Sequence, residues 1–222
     1  MAPFRRGTGT FGKKTMKNVL GIALLIMALT AGGQSALAQE ADGKALYGTC
    51  VACHGSAGEG NPALNAPALA GQDAAYLARQ ITHFQSGVRG GDDRDTLGRQ
   101  MQGMAATLTS PEAVAAVSEY LAGLPASTEG DAPAHDTRNG EVQYNAACGA
   151  CHAANAQGNP ALNSPNLAIL DEVYLRRQYA NFQQKIRGGH ADDKYGRQMQ
   201  MMSNMLSTEK DLDDVIGFIL SQ

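Results

Sequence analysis

The sequence predicts an all-α protein built from two homologous domains in tandem. Three observations carry that expectation. Apolar residues recur at helical spacing, no run shows the alternation of a half-buried strand, and the second half of the chain repeats the first. Sliding the sequence on itself by 98 residues aligns Cys50 with Cys148 and continues without a gap to the C-terminus, with 32 identities in the 75 pairs of positions 50–124. The matching strings are CxACH, GNPALNxP, YLxRQ, FQ, RGG and GRQMQ. Both copies therefore keep the same apparatus and not only the same shape.

Each copy should begin with a short helix leading into its cysteine pair. A second helix is expected from about Asp73 to Ser86, where Tyr76, Leu77, Ile81 and Phe84 share one face, and again from about Asp171 to Lys185. The last helix follows Thr109, since Thr109 and Glu112 have capping-box spacing and Pro111 falls in the first turn; its counterpart is Glu209 to Leu220. Pro125 to Ala134 (PASTEGDAPA) has the composition of a solvated linker. The expected organisation is domain 1 at 39–124, a linker at 125–136 and domain 2 at 137–222. Ten extended residues reach at most roughly 33–36 Å, so the domains are free to pack face to face but not to wander apart.

Residues 1–38 differ from the rest. Arg5, Arg6, Lys13, Lys14 and Lys17 precede an apolar run from Val19 to Leu29, no acid is present, and Ala36 and Ala38 mark a cleavage site before Gln39. This is a signal-peptide pattern, with Met16 as an alternative start, and it predicts export to the periplasm. An uncleaved membrane anchor is the competing reading, but the apolar run falls short of the roughly 20 residues a bilayer requires. Membrane contact is then at most peripheral. Removing the segment takes 5 of the 18 basic residues and none of the 21 acidic ones, leaving a formal charge of −8. Nucleic acid is an improbable partner for such a surface.

Aromatic residues are only 5% of the chain and tryptophan is absent, so two cores made from side chains alone would be poor. Small domains short of core recruit a disulfide, a metal or a cofactor. The four cysteines fall in two C-x-x-C-H strings, Cys50-Val51-Ala52-Cys53-His54 and Cys148-Gly149-Ala150-Cys151-His152. That string reads as c-type haem attachment. Two thiols one helical turn apart can each add across a haem vinyl group, while the adjacent imidazole binds iron. Structural disulfides, a four-cysteine zinc site and a thioredoxin-like pair compete. Zinc does not require His after each second Cys, and the thioredoxin-like pair needs a βαβ pattern that is missing.

A further iron ligand should recur at the same distance from each His. Met101 and Met199 do so, and so do Met104 and Met202, so spacing leaves the pair open. Methionine sulfur is a soft neutral ligand that favours reduced iron, as an electron carrier requires. Met201 and Met205 have no partner in copy one and read as packing or surface residues. His83, His135 and His190 do not repeat and are not taken as ligands. Arg89, Arg187, Arg99 and Arg197 recur beside the methionines, either to neutralise haem propionates or as solvated surface.

At this point the chain resembles the dihaem cytochromes c4, built from two class I cytochrome c domains. The resemblance spans nearly all of the mature chain and rests on CxxCHG with GxGN downstream in copy one, NAPALAGQ, YLARQ and GRQMQGMAATLT, which is similar to the family's ligand loop running into the last helix. It implies two covalently bound haem c groups, with Met101 and Met199 as the iron ligands opposite His54 and His152. It also implies that Pro67 and Pro165 offer a backbone carbonyl to each proximal imidazole, orienting it and tuning its basicity. Copy two departs at Ala153 and at Ile169-Leu170, which puts local hydrogen bonds there in doubt. The expected function is a periplasmic electron carrier between a quinol-oxidising complex or dehydrogenase and a terminal oxidase or reductase, with redox proteins as partners. The alternative is the cytochrome subunit of a dehydrogenase complex, for example of the flavocytochrome sulfide dehydrogenase type.

Overall fold

A computed structural model describes residues 43–126 and 135–222. The expected signal peptide and most of the expected linker lie outside the described residues. In copy one, a helical turn at residues 43–47 (α1) is followed by α2 (Val51–His54), α3 (Ala74–Gln85), α4 (Thr96–Ala105) and α5 (Pro111–Ala122). Copy two repeats the order with α6 (Thr137–Ala147), α7 (Gly149–His152), α8 (Glu172–Gln183), α9 (Lys194–Met202) and α10 (Glu209–Leu220). Between the second and third helix of each copy lies one turn of 3₁₀ helix, Pro62–Leu64 and Pro160–Leu162. Among the described residues there is no strand, only isolated bridges from Asn61 to Ala66 and from Asn159 to Ser164. The all-α, two-domain expectation is borne out.

Local chemistry sets the ends of these helices. Asp73 and Asp171 each accept a hydrogen bond from a backbone N–H three residues on, at 2.8 Å in both copies, and so start α3 and α8. The last helix of copy one is capped by Ser110 and not by Thr109: the Ser110 hydroxyl accepts from the Ala113 N–H at 3.2 Å, and Pro111 takes the first helical position. The capping box forms only in copy two, where Thr208 and Asp211 satisfy one another's backbone N–H groups. The methionine-bearing segment, expected as a loop, is helical in both copies. Asp95 and Asp193 start α4 and α9 by accepting from the Gly98 and Gly196 N–H groups at 2.8 Å.

Each core sits where the first helix crosses the last. In copy one Tyr47, Leu77, Leu108, Val114, Val117 and Leu121 are buried together; in copy two Tyr144, Ala156, Val215, Phe218 and Ile219 are. Glycine permits the crossing in copy two, because a Cβ at Gly140 would overlap the Asp214 carbonyl of α10. The same crossing is tied by the Asp214 carboxylate, which accepts from Asn139 Nδ2 at 2.7 Å, from the Asp136 N–H at 3.2 Å and from Lys210 Nζ at 2.5 Å.

The described residues of the two repeats share one compact unit and meet through a polar interface that is nearly symmetric in the repeat. Arg89 donates to Gln80 of its own domain at 2.8 Å and to Tyr174 and Gln178 of the other at 2.8 and 3.1 Å. Arg187 returns the pattern, donating to Gln178 at 2.8 Å and across the interface to Gln80 and Tyr76 at 2.9 and 3.3 Å. Each guanidinium is buried over a phenylalanine ring of its own domain, Phe84 at 4.5 Å and Phe182 at 4.7 Å. Outside this centre, Arg79 donates to the side chain and carbonyl of Asn163, and Arg177 does the same to Asn65. The repeated GNPALN, YLxRQ and RGG strings therefore build the interface. Arg99 and Arg197 are surface residues bonded to Asp93 and to the Ala191 carbonyl.

Lys210, then Asn139, hold the Asp214 carboxyl below the usual carboxylate range. A depressed folded-state pKa gives stability that is present above the unfolded value of about 3.9 and is lost as pH falls through the folded value. Thermal denaturation from pH 7 downward should therefore show Asp214→Asn less stable than the parent at neutral pH, with the difference shrinking in acid.

Candidate functional site

The chemistry gathers on α2 and α7. Cys50 precedes α2, and its carbonyl accepts the N–H groups of Cys53 at 3.1 Å and His54 at 2.9 Å, so both thiols stand one helical turn apart with the imidazole directly behind. Copy two repeats this with Cys148, Cys151 and His152 at 3.1 and 3.0 Å. Cys50 and Cys148 are half-buried, and Cys53 and Cys151 are exposed. Among the described residues no three His, Cys, Asp or Glu side chains cluster as a metal site of such groups alone would need.

Both imidazoles are buried, with only 5% exposed. Nδ1 of His54 lies 2.9 Å from the Pro67 carbonyl, and Nδ1 of His152 lies 3.0 Å from that of Pro165. A carbonyl only accepts, so Nδ1 carries the proton and Nε2 keeps its lone pair for a metal. Burial lowers both histidine pKa values against the opposing effect of the carbonyl, which keeps the rings neutral.

Two residues of this arrangement escaped the sequence reading. The Tyr47 and Tyr144 side chains are the most deeply buried large groups of their domains, and their hydroxyls donate to the carbonyls of Gly55 at 2.6 Å and Ala153 at 2.7 Å, holding the chain as it leaves each histidine. Tyr47 stands three residues before its first cysteine and Tyr144 four before, so a gapless repeat does not pair them. A one-residue gap upstream of the cysteines would have shown the match. The doubt over Ala153 is resolved as well: the Tyr144 bond forms, but Ala153 adopts φ 63° and ψ 159°, a region that is essentially glycine-only. Gly55 fills the same role at φ 83° and ψ 163°.

In domain 2 these groups line a cleft of about 1350 Å³, counting its open mouth. Cys148, Cys151, His152, Pro165, Met199 and Met202 all line it. The two thiols, the neutral imidazole and a thioether in one largely apolar cleft are a donor set that fits a covalently attached haem. Met101 and Met199, on α4 and α9, are half-buried, whereas Met104 and Met202 are 40% and 38% exposed. Of the arginines singled out, Arg187 reaches this cleft and Arg197 does not line it.

A helical fold with two such sites defines a c-type cytochrome. The family model described as cytochrome c matches residues 40–125 and again 137–222, and the chain belongs to the cytochrome c family. The resemblance to the dihaem cytochromes c4 is borne out along the chain. Cytochrome c4 of Pseudomonas aeruginosa is 29% identical over 212 residues, covering 92% of this chain and 98% of that protein. The crystal structure of reduced recombinant cytochrome c4 from Pseudomonas stutzeri superposes with a TM-score of 0.66 at 27% identity, covering 80% of this chain and 95% of that one. The thiosulfate dehydrogenase electron acceptor of Thiomonas intermedia is 33% identical over 150 residues, 64% of this chain and 65% of that protein. The chain is a cytochrome c4-like electron carrier with two covalently bound haem c groups.

Relief of the Ala153 conformation is directly measurable. Ala153→Gly should raise stability by about 1 kcal/mol, since strain of order 1–3 kcal/mol is removed against a glycine entropy cost of about 0.4–1 kcal/mol. Chemical denaturation of the holoprotein checks this, and no gain would mean that the neighbouring chain absorbs the strain.

Proposed function

We propose that the protein is a periplasmic carrier that takes electrons from a quinol-oxidising complex or dehydrogenase and delivers them to a terminal oxidase or reductase. In this reading residues 1–38 are removed on export. Domains 39–124 and 137–222, joined by 125–136, carry one haem each. Cys50, Cys53, Cys148 and Cys151 attach the haems, and His54 with Met101 and His152 with Met199 ligate iron. The observation that carries it is the pairing of a carbonyl-locked histidine with a half-buried methionine facing the same cleft. When bound, the haem supplies a one-electron couple.

The chain's own residues then have separable tasks. Pro67 and Pro165 hold each imidazole in one tautomer and one orientation, so that little reorganisation accompanies a change of iron charge. Methionine sulfur favours the reduced state. Arg187, buried against the domain 2 cleft with neutral hydrogen-bond partners, supplies positive charge suited to a haem propionate. The Arg89 and Arg187 network supports a fixed relation between the two centres. Redox proteins are the expected partners. No helix among the described residues is long and apolar enough to cross a membrane.

A second reading, the dedicated cytochrome partner or subunit of a dehydrogenase, is favoured by the relative described as a thiosulfate dehydrogenase electron acceptor. Co-purification from native periplasm separates the two. A free carrier elutes alone, and a subunit brings a stoichiometric dehydrogenase.

Haem stoichiometry tests the attachment sites. Protein made in a host with haem-attachment machinery should hold two haems through acid-acetone extraction, and Cys50→Ala with Cys53→Ala should hold one. Retention of both would overturn the assignment.

The ligand assignment has its own signature. Met101→Ala should remove part of the weak near-infrared sulfur-to-iron band of the ferric protein and lower one midpoint potential. The double variant Met101→Ala, Met199→Ala should lose the band and bind carbon monoxide at both irons, while Met104→Ala keeps the band. If Met104 and Met202 variants behave this way instead, the ligands lie one helical turn further along.

A further inference from the structure

Among the differences between the two haem sites, one places a polar atom in the cleft wall. Tyr179 stands on α8 where the repeat places Ile81 on α3. Ile81 packs with the apolar core of domain 1 beside Cys50. Tyr179 instead lines the domain 2 cleft together with Cys148, and its hydroxyl is buried with no hydrogen-bond partner among the described residues. Copy two has thus exchanged a hydrocarbon for a polar group at the edge of its haem cleft.

No protein group satisfies that hydroxyl. The Leu206 backbone approaches the oxygen but makes no hydrogen bond of accepted geometry with it, so its proton is free for an acceptor in the cleft. Burial first, against the opposing effect of the Leu206 backbone and with the Glu209 charge adding to it, pushes the phenol above its ordinary value, so the group stays a donor across the physiological range. A buried hydroxyl is ordinarily satisfied, and one that the protein leaves open in a cofactor cleft points to an acceptor or a charge in that cofactor. Cys148 belongs to the core shared with Leu206, so the hydroxyl lies on the side of the cleft that carries the first haem attachment.

We propose that the Tyr179 hydroxyl is a tuning group for the domain 2 haem: its dipole, positive end toward the haem edge held by Cys148, favours the reduced iron and raises that haem's potential above the value an isoleucine there would give. In an apolar cleft such a dipole acts at low effective dielectric, and hydrogen bonds near the macrocycle and its attachments are an established lever on potential. The two domains of one chain are thereby made electrically unequal by a single side chain. The inference rests on the haem-attachment reading of Cys148, Cys151 and His152.

The test is a potentiometric titration of the holoprotein, followed optically and resolved into two midpoints, for the parent and for Tyr179→Phe. The substitution keeps the ring and removes only the hydroxyl. One midpoint should fall and the other stay, with two covalent haems and an unaltered near-infrared band. Ile81→Tyr should raise the midpoint that Tyr179→Phe leaves in place. The proposal is overturned if Tyr179→Phe moves neither midpoint, raises one, or shifts both together. Loss of a covalent haem after replacing Cys148 and Cys151 by Ala is the separate check on the attachment reading, so the two failures are distinguishable.

Discussion

The shortage of apolar core governs this protein. Six buried residues in one repeat and five in the other form the clusters where first and last helices cross, and aromatic residues are only 5% of the chain. Domains of this size bury a smaller fraction of their surface than larger ones do and are correspondingly marginal. The elements are accordingly arranged around a cleft. Its contents are bonded covalently at two thiols, which places the stabilising group where the side chains are fewest. The hydrogen bonds from the imidazole Nδ1 atoms to Pro67 and Pro165, and from Tyr47 and Tyr144 to the carbonyls behind each histidine, fix the walls of that cleft from outside.

The second constraint is charge at the interface. Arg89 and Arg187 are buried between the repeats with hydrogen-bond partners that are neutral amides and phenols. A buried cation requires hydrogen bonds in every direction, and the Gln80, Gln178, Tyr76 and Tyr174 side chains supply them from both domains at once. Their field is felt nearby. Although burial pushes the Tyr174 phenol up, the Arg89 and Arg187 guanidiniums bring it below the ordinary tyrosine value. Separating the domains would leave each guanidinium with only the glutamine of its own domain, so the same residues that bring charge to the interface also hold the two repeats in register.

Duplication left two sites with a shared frame and different details. Gln72 exchanges two hydrogen bonds of 2.9 Å with the backbone of Asn166, a link whose repeat counterpart is absent because Leu170 stands in the place of Gln72. Ala153 carries a conformation that Gly55 adopts freely. Met201 and Met205 are 66% and 57% exposed where copy one has Gly103 and Thr107, so the face beside the second methionine pair is the more apolar. Each difference is one or two side chains wide, set in a frame that the two copies otherwise share.

The sequence by itself determined the helical class, the twofold repeat and the attachment chemistry. Those depend on residue spacing along the chain: C-x-x-C-H places two thiols and an imidazole on one turn whatever surrounds it, and Asp73 and Asp171 start their helices by local hydrogen bonds. It misplaced one cap by a residue, because Thr109 and Ser110 offer the same hydroxyl, and it took α4 and α9 for loops because they resemble the family's ligand loop, although both segments are amphipathic helices. Only the tertiary structure decided what the repeated arginines do. Arg79, Arg89, Arg177 and Arg187 look like exposed cations in a list of residues, and they become interface residues because the partners that satisfy them, Asn163, Tyr174, Asn65 and Tyr76, lie 84 to 112 positions away. The open hydroxyl of Tyr179 belongs with them, since burial and the lack of a partner are properties of packing and not of sequence.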